Sequence, residues 1–375
     1  MSTEQDATAP FDEALHLIAL ADDPTALFGP LPEGGGDPPP AATAAYRRLA
    51  RLVHPDRAPA GRAGEAATAF TRLTTCWSRY RDLVEGGLGL DDLTLVTRAR
   101  TYHVRHGSGP LARGDIADLY EVRHKDGVWR EAVLKLPRSH RDNDLVMAEA
   151  EALGRLRERG RERYRAFYPD LVERIRHRDA ATGVERRGNV LGRLRGFHSL
   201  ADVRRAYPDG IDPRDAAWMW RRLLVAVGNA ARAGVVHGAV VPEHVLIHPE
   251  RHGLVLIDWC YSVTVGAART APHVPAMVPH REDLYPPEVL DRRPAVPATD
   301  VFMATRCVEY VTAGRLPRPL RAFARGCRLP APERRPVDGL VLLGELDEAL
   351  ERVFGPRRFR PFHLPARHPP SPTGR

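Results

Sequence analysis

Two stretches of this chain bring together residue types that can do chemistry. One is His54-Pro55-Asp56, which follows the basic run Ala45-Tyr46-Arg47-Arg48-Leu49-Ala50-Arg51-Leu52-Val53. Proline disfavours helical geometry in the residue before it, so the tripeptide ends one helix and forms a polar tip. The other centres on Lys135 in Ala132-Val133-Leu134-Lys135-Leu136, a single cation on an apolar strand. Of the 56 basic residues only Lys125 and Lys135 are lysines, and an ammonium is not interchangeable with a guanidinium at a tight site. Glu149 lies on the next helix and can pair with Lys135, whereas Glu151, two residues on, faces elsewhere. Upstream, Leu111 to Tyr120 suits a strand–loop–strand in which Ala112, Gly114 and Ala117 allow backbone N–H groups to approach an anion. Asp115 places a negative charge in that same loop.

These residues need elements to hold them. Apolar residues Ala45, Leu49, Leu52 and Val53 recur at helical spacing, and Ala66, Ala69, Phe70, Leu73, Trp77 and Tyr80 form a second stripe. The pattern predicts helices over Ala41–Val53 and Glu65–Val84, an αα-hairpin with the tripeptide at its tip. Residues 1–10 are expected to be disordered, Phe11–Leu20 to be a short helix, and Gly29–Pro40 to be a Gly/Pro loop. Strands are expected at Asp118–His124, Glu131–Leu136 and Gly253–Ile257, and a helix at Asn143–Arg159. Helices dominate after Asp215, with Trp218 and Trp220 expected in the core. The resulting organisation is a helical module over 11–85, a linker over 86–100, a second module divided into 101–200 and 201–355, and a disordered Pro/Arg-rich tail over 356–375.

Composition narrows the class. The 375 residues are 43% apolar and 28% charged, as in globular proteins of two or three domains. No apolar run approaches the roughly 18 residues of a membrane helix, so no membrane partner is expected. Met1 to Pro10 lacks an apolar core, and no secretory signal is expected. Cys76, Cys260, Cys307 and Cys327 are widely spaced, which suits a reducing cytoplasm. The net charge of +8 is carried almost wholly by arginine, the composition bias of a high-GC bacterial genome, and nucleic acid is not the expected partner.

The basic helix ending in Leu-Val-His-Pro-Asp-Arg, followed by Ala-Phe-Thr-Arg-Leu and an aromatic, resembles the J domain of DnaJ-type co-chaperones over about residues 22–83. The resemblance implies that His54, Pro55 and Asp56 stimulate a DnaK-type chaperone ATPase, and that Arg47, Arg48 and Arg51 dock on it. The first helix of that family is reduced here to about Asp23–Phe28. No Gly/Phe-rich region or zinc-binding cysteine cluster follows, so substrate holding by those parts is not implied.

The stretch Gly234-Val-Val-His237-Gly-Ala239-Val-Val-Pro-Glu243-His244, before Leu254-Val-Leu-Ile-Asp258-Trp-Cys260, resembles the catalytic and metal-binding loops of the protein-kinase-like superfamily. Further landmarks are Lys135, Glu149, Tyr285-Pro-Pro-Glu288, Asp300 and Arg335, and the resemblance spans about residues 100–355. It implies an α+β, two-lobed fold in which Glu288 pairs with Arg335 and Asp300 is buried. It also implies that Gly114, Lys135 and Glu149 face a nucleotide and Asp258 one magnesium ion, with ATP a weak or structural ligand. Two positions depart from the family: Ala239 stands where the catalytic aspartate is expected, and His244 where the metal-binding asparagine is expected. Cys260 replaces a glycine, and His237 is expected to be structural. The implied function is a co-chaperone or adaptor with an inactive kinase-like module that binds a protein client. The rival is an atypical kinase using another acid, for which Glu243 is the nearest candidate.

Overall fold

The computed structural model describes residues 3–21, 23–32, 36–86, 93–105, 109–178, 183–265 and 272–365. It is a mixed α and β structure with antiparallel sheets, dividing into residues 1–111 with 120–132 and residues 112–119 with 133–375.

The first unit begins with four helices, α1 (Thr3–Leu20), α2 (Thr25–Phe28), α3 (Pro40–Leu52) and α4 (Ala63–Gly86). Phe11, Ala14 and Ile18 recur at helical spacing and are buried, giving α1 one core face. This helix reaches back to Thr3, so residues expected to be disordered are helical from there, while Met1 and Ser2 lie outside the described residues. Asp23 opens α2 by accepting the Thr25 N–H at 2.7 Å and the Ala26 N–H at 3.3 Å, two donors the helix itself leaves unpaired. Pro40 sits in the first turn of α3, where its missing N–H costs nothing.

Between α3 and α4 the core is aromatic. Trp77 stacks on Tyr46 at 4.8 Å and on Tyr80 at 5.8 Å, with Phe28 edge-on at 5.0 Å. Leu49, Val53, Leu73 and Tyr80 are buried beside them. The Gly/Pro loop is tied to α4 where it is described: the Tyr80 hydroxyl donates to Pro30 O at 3.2 Å, and Gly36 N–H to Val84 O at 3.2 Å.

Residues 86–100 are not the simple linker the sequence suggested. Residues 87–92 lie outside the described residues, but β1 (Leu93–Val96) pairs antiparallel with β2 (Thr101–Val104) through a turn closed by Thr97 N–H to Arg100 O. Leu93 and Val96 are both exposed, so the run lacks the in–out alternation that marks a strand. β2 pairs in turn with Val122–His124. In this unit Lys125 donates to Asp82 and Glu85 of α4, each at 3.2 Å.

In the second unit β3 (Ala112–Arg113) pairs with the first residues of β4 (Ala117–Asp126), and Gly114 N–H closes the turn onto Ala117 O at 2.8 Å. The end of β5 (Val128–Pro137) is followed by α5 (Asn143–Arg159), β6 (Leu171–Arg178) and β7 (Glu185–Gly192), in the sheet order β5-β7-β6. A small antiparallel sheet follows, formed by β8 (His198–Ser199), β10 (Val245–His248) and β11 (Gly253–Leu256), while β9 (Val235–Val236) pairs with β12 (Val263–Thr264). The helices are α6 (Leu200–Ala206), α7 (Pro213–Arg232), α8 (Pro287–Leu290), α9 (Pro297–Val311), α10 (Arg318–Cys327) and α11 (Gly339–Phe354).

The segment after α11 is also ordered through residue 365. Phe362 is buried in the core, the Tyr207 hydroxyl donates to His363 O, and Arg360 pairs with Asp215 at 3.0 Å. This corrects the expected disorder for 356–365; residues 366–375 lie outside the described residues.

α7 and α11 meet backbone to backbone. A Cβ on Gly228 would lie 2.7 Å from Leu340 N, and one on Gly339 2.5 Å from Leu224 O. Gly228→Ala therefore forces the helices apart, and its stability should fall by about 1–3 kcal/mol, the usual cost of overpacking. Denaturant unfolding checks this. Gly326→Ala, in α10 with no heavy atom within 4 Å of the added Cβ, is the control and should lose no stability.

Candidate functional site

The site is built in the second unit where β5, α5 and the turn after β11 converge. Lys135 on β5 is 4% exposed, and Glu149 on α5 is fully buried. The Lys135 ammonium donates to Glu149 Oε1 at 3.1 Å and to Asp258 Oδ1 at 2.8 Å. The second oxygen of Glu149 accepts from Asn189 Nδ2 at 2.9 Å, and the same amide donates to Val146 O. Glu151 faces solvent, as helical spacing requires. Burial opposes the charge on Lys135, but the carboxylates of Asp258 and Glu149 outweigh it and hold its pKa well above the ordinary lysine value. Asp258 is half-buried, and although lost hydration opposes its charge, Lys135 and then His244 bring its pKa below the ordinary carboxylate range. Lysine and aspartate are thus both charged and matched to each other.

Asp258 adopts a left-handed backbone, φ 62° and ψ 64°, a region that aspartate tolerates better than most residues. This turns the chain from β11 into the short helix Trp259–Tyr261. Trp259 is buried, with its Nε1–H on Leu256 O at 2.8 Å and its ring edge-on to His237 at 4.5 Å.

The loop from β9 to β10 is fixed by Asp300 of α9. Its carboxylate accepts the N–H of His237 at 2.6 Å and of Gly238 at 2.9 Å. Gly238 has φ 76°, and a Cβ there would meet Tyr261 O at 2.7 Å, so only glycine fits. His237 accepts the Ala239 N–H on Nδ1 at 3.2 Å and so donates from Nε2 to Ile257 O at 2.9 Å, the neutral tautomer. Ala239 is fully buried, and its carbonyl accepts from His244 Nδ1 at 2.9 Å. His244 Nε2 then lies 3.5 Å from Asp258 Oδ2. Glu243 is held by Arg281, through Nε at 3.2 Å and through a second guanidinium N–H.

Gly114 and Asp115 lie exposed in the β3–β4 turn, and Arg138 bonds to Asp115 O. Lost hydration, then the nearby Asp258 and Glu243 carboxylates, raise the pKa of Asp115, with His244 and Arg138 opposing. Its carboxylate therefore feels the charges of Asp258 and Glu243. Further along, Glu288 and Arg335 form a buried bidentate pair at 2.7 and 2.8 Å, with Thr299 Oγ1 donating to Glu288 at 2.9 Å.

The tripeptide tip lies in the first unit. Asp56 N–H donates to His54 Nδ1 at 3.2 Å, His54 stands edge-on to Phe70 at 5.4 Å, and the Asp56 side chain is 87% exposed. Pro55 opens the short turn Pro55–Arg57. Arg47, Arg48 and Arg51 are exposed on α3, and none forms an ion pair among the described residues.

The donor set around Asp258 does not suit magnesium. Glu149, Asp258 and Cys260 bring ligand atoms within 4.8 Å of one another, but Lys135 already occupies the two carboxylates. Burial pushes the Cys260 thiol well above its ordinary pKa, which keeps its proton. Magnesium takes about six oxygen ligands at ~2.0–2.1 Å, and an imidazole nitrogen is a poor substitute. The sequence reading missed Asn189 and Arg281, which respectively lock Glu149 and occupy Glu243. Neither belongs to a recognisable motif, and Asn189 lies on a hairpin with no clear strand pattern. No known protein family matches this chain, and no curated protein matches it either.

His237 and Asp300 have opposite pH signatures. Burial, then His244, pushes the His237 pKa down from 6.5 to about 3, so it contributes stability above pH 6.5 that is lost as pH falls toward 3. Burial pushes Asp300 up from 3.8 to about 7, so its contribution is full below pH 3.8 and is lost as pH rises toward 7. Each slope is at most about 1.4 kcal/mol per pH unit, and between pH 4 and 6.5 they oppose. Asp300→Asn should therefore make stability rise more steeply with pH than in the wild type, and His237→Gln should make it fall. Denaturant midpoints at pH 4.5, 5.5 and 6.5 measure both slopes.

Proposed function

We propose that this protein is a co-chaperone-type adaptor: a J-like hairpin recruits a DnaK-type ATPase, and a kinase-like module binds a protein client without transferring phosphate. The observation that carries the reading is the interior of the β9–β10 loop. Ala239 stands where a kinase would place its catalytic carboxylate, and both its backbone polar groups are engaged by histidines. Losing a positioned base typically costs about 10²–10⁴ in rate. His244 stands where a second metal ligand is needed, and Lys135 is spent on Asp258 rather than left for phosphates. The rival, an atypical kinase, needs a spare acid, and Glu243 is tied to Arg281. Asp115 adds a negative charge that repels phosphate, so ATP on this reading is at most a weak or structural ligand.

The J-like part is supported by the exposed tip and the unpaired arginines beside it, since exposed charge governs encounter and choice of partner. α1, which covers part of the hairpin core, is an addition to that family's pattern.

Two experiments test the modules separately. Added to a DnaK-type chaperone, the intact protein should raise single-turnover ATP hydrolysis several-fold, and His54→Gln or Asp56→Asn should return it to baseline without lowering the melting temperature. Absence of stimulation across several bacterial DnaK chaperones would refute the J-like assignment. In radiolabel assays the protein should transfer no γ-phosphate to itself, to the chaperone or to generic substrates. Wild-type turnover that vanishes with Asp258→Ala would make it a kinase. Activity appearing only in Ala239→Asp/His244→Asn would show that these two positions silence a competent fold.

A further inference from the structure

A pocket of about 770 Å³ lies in the second unit and shares no lining residue with the Lys135 site. α7 lines it with Arg214, Ala217, Trp218 and Arg221, and α11 with Asp347, Leu350, Glu351 and Phe354. Both sets follow the i, i+3, i+4, i+7 spacing of one helical face. The segment after α11 closes it with Arg357, Arg358, Phe359 and Arg360, and its size is within the range that holds a small organic ligand.

The pocket and its margin have more guanidinium than acid. Arg221 pairs with Asp347, Arg214 with Asp212 at 3.6 Å, and Arg360 with Asp215 at 3.0 Å. Arg222, Arg357 and Arg358 pair with no acid among the described residues, and Glu351 is the one further acid in the lining. Arg221 and Arg222 are half-buried, and their pKa values are lowered first by burial and then by Arg357. Crowding like charges in a partly dehydrated site costs stability unless an anion joins them. Trp218, expected in the core, is mostly buried but stacks on His252 at 4.3 Å and 6°; Phe359 covers the other face of His252 at 4.6 Å and is itself 71% exposed. A planar aromatic face is thus open beside the excess arginines.

We infer that this pocket binds a small phosphate ester carrying a planar ring, of the nucleoside di- or triphosphate class. Its phosphates lie on Arg357 and Arg358, whose forked N–H donors match phosphate oxygens, and its ring lies on the open face of Phe359. This assignment is independent of the adaptor reading.

Calorimetric titration of the intact protein with inorganic pyrophosphate and with ATP, at about 0.15 M salt without magnesium, tests it. Both should bind. Arg357→Ala/Arg358→Ala changes exposed side chains and should weaken both by about tenfold or more, the loss of at least one of two charge-assisted contacts. Phe359→Ala should weaken ATP several-fold and leave pyrophosphate unchanged. Absence of binding at millimolar ligand, unchanged affinity in the arginine double variant, or equal competition by sulfate would overturn the site. Pyrophosphate and ATP responding alike to Phe359→Ala would overturn the planar group.

Discussion

A buried ammonium survives only where carboxylates meet it, and much of the second unit is arranged around that demand. Lys135 draws Glu149 from α5 and Asp258 from the turn after β11 to one point. Each remaining polar atom then needs its own partner. Asn189 takes the second oxygen of Glu149, and His244 faces the second oxygen of Asp258. His244 is oriented by the Ala239 carbonyl, Ala239 by His237, and His237 by Ile257 and Asp300. The chain of contacts runs from a strand to α9 through one buried network. At its centre one ammonium serves two carboxylates.

Some of this was legible from the amino acids. Lysine is so rare here that its presence on an apolar strand marked a site, and helix pitch selected Glu149 over Glu151. The Glu288–Arg335 contact, 47 positions apart, was implied by the family resemblance alone, since no local pattern links such residues. The bond from Lys135 to Asp258, across 123 positions, was not foreseen, because the resemblance spoke only of a metal ion at Asp258. Motif order says which residues share a pocket and leaves open which of them touch.

Other parts were hidden for physical reasons. In β6 only Ile175 is buried, so Leu171–Arg178 carries charge on both faces and lacks a strand's alternation. Trp218 is a core residue as its apolar neighbours on α7 suggest, but its stacking on an imidazole that a positive φ at His252 helps to present has no signal on that helix. The ordered segment after α11 has the Pro and Arg content of an unfolded tail. Phe362, with Leu364 packed against the same core, supplies the burial, and composition averages it away.

That same phenylalanine sets an order of events during synthesis. The aromatic core of the helical hairpin draws on residues no later than Val84, so it can close while most of the chain is still being made. The core of the second unit draws on residues from Val146 to Phe362. The last buried side chain among its described residues, Phe362, leaves the ribosome only after more than two hundred residues of that unit have emerged without it. Until then Tyr207 lacks its bond to His363, and Trp218 lacks its edge contact with Phe362. The nascent chain thus carries a finished hairpin ahead of an unfinished, partly apolar domain.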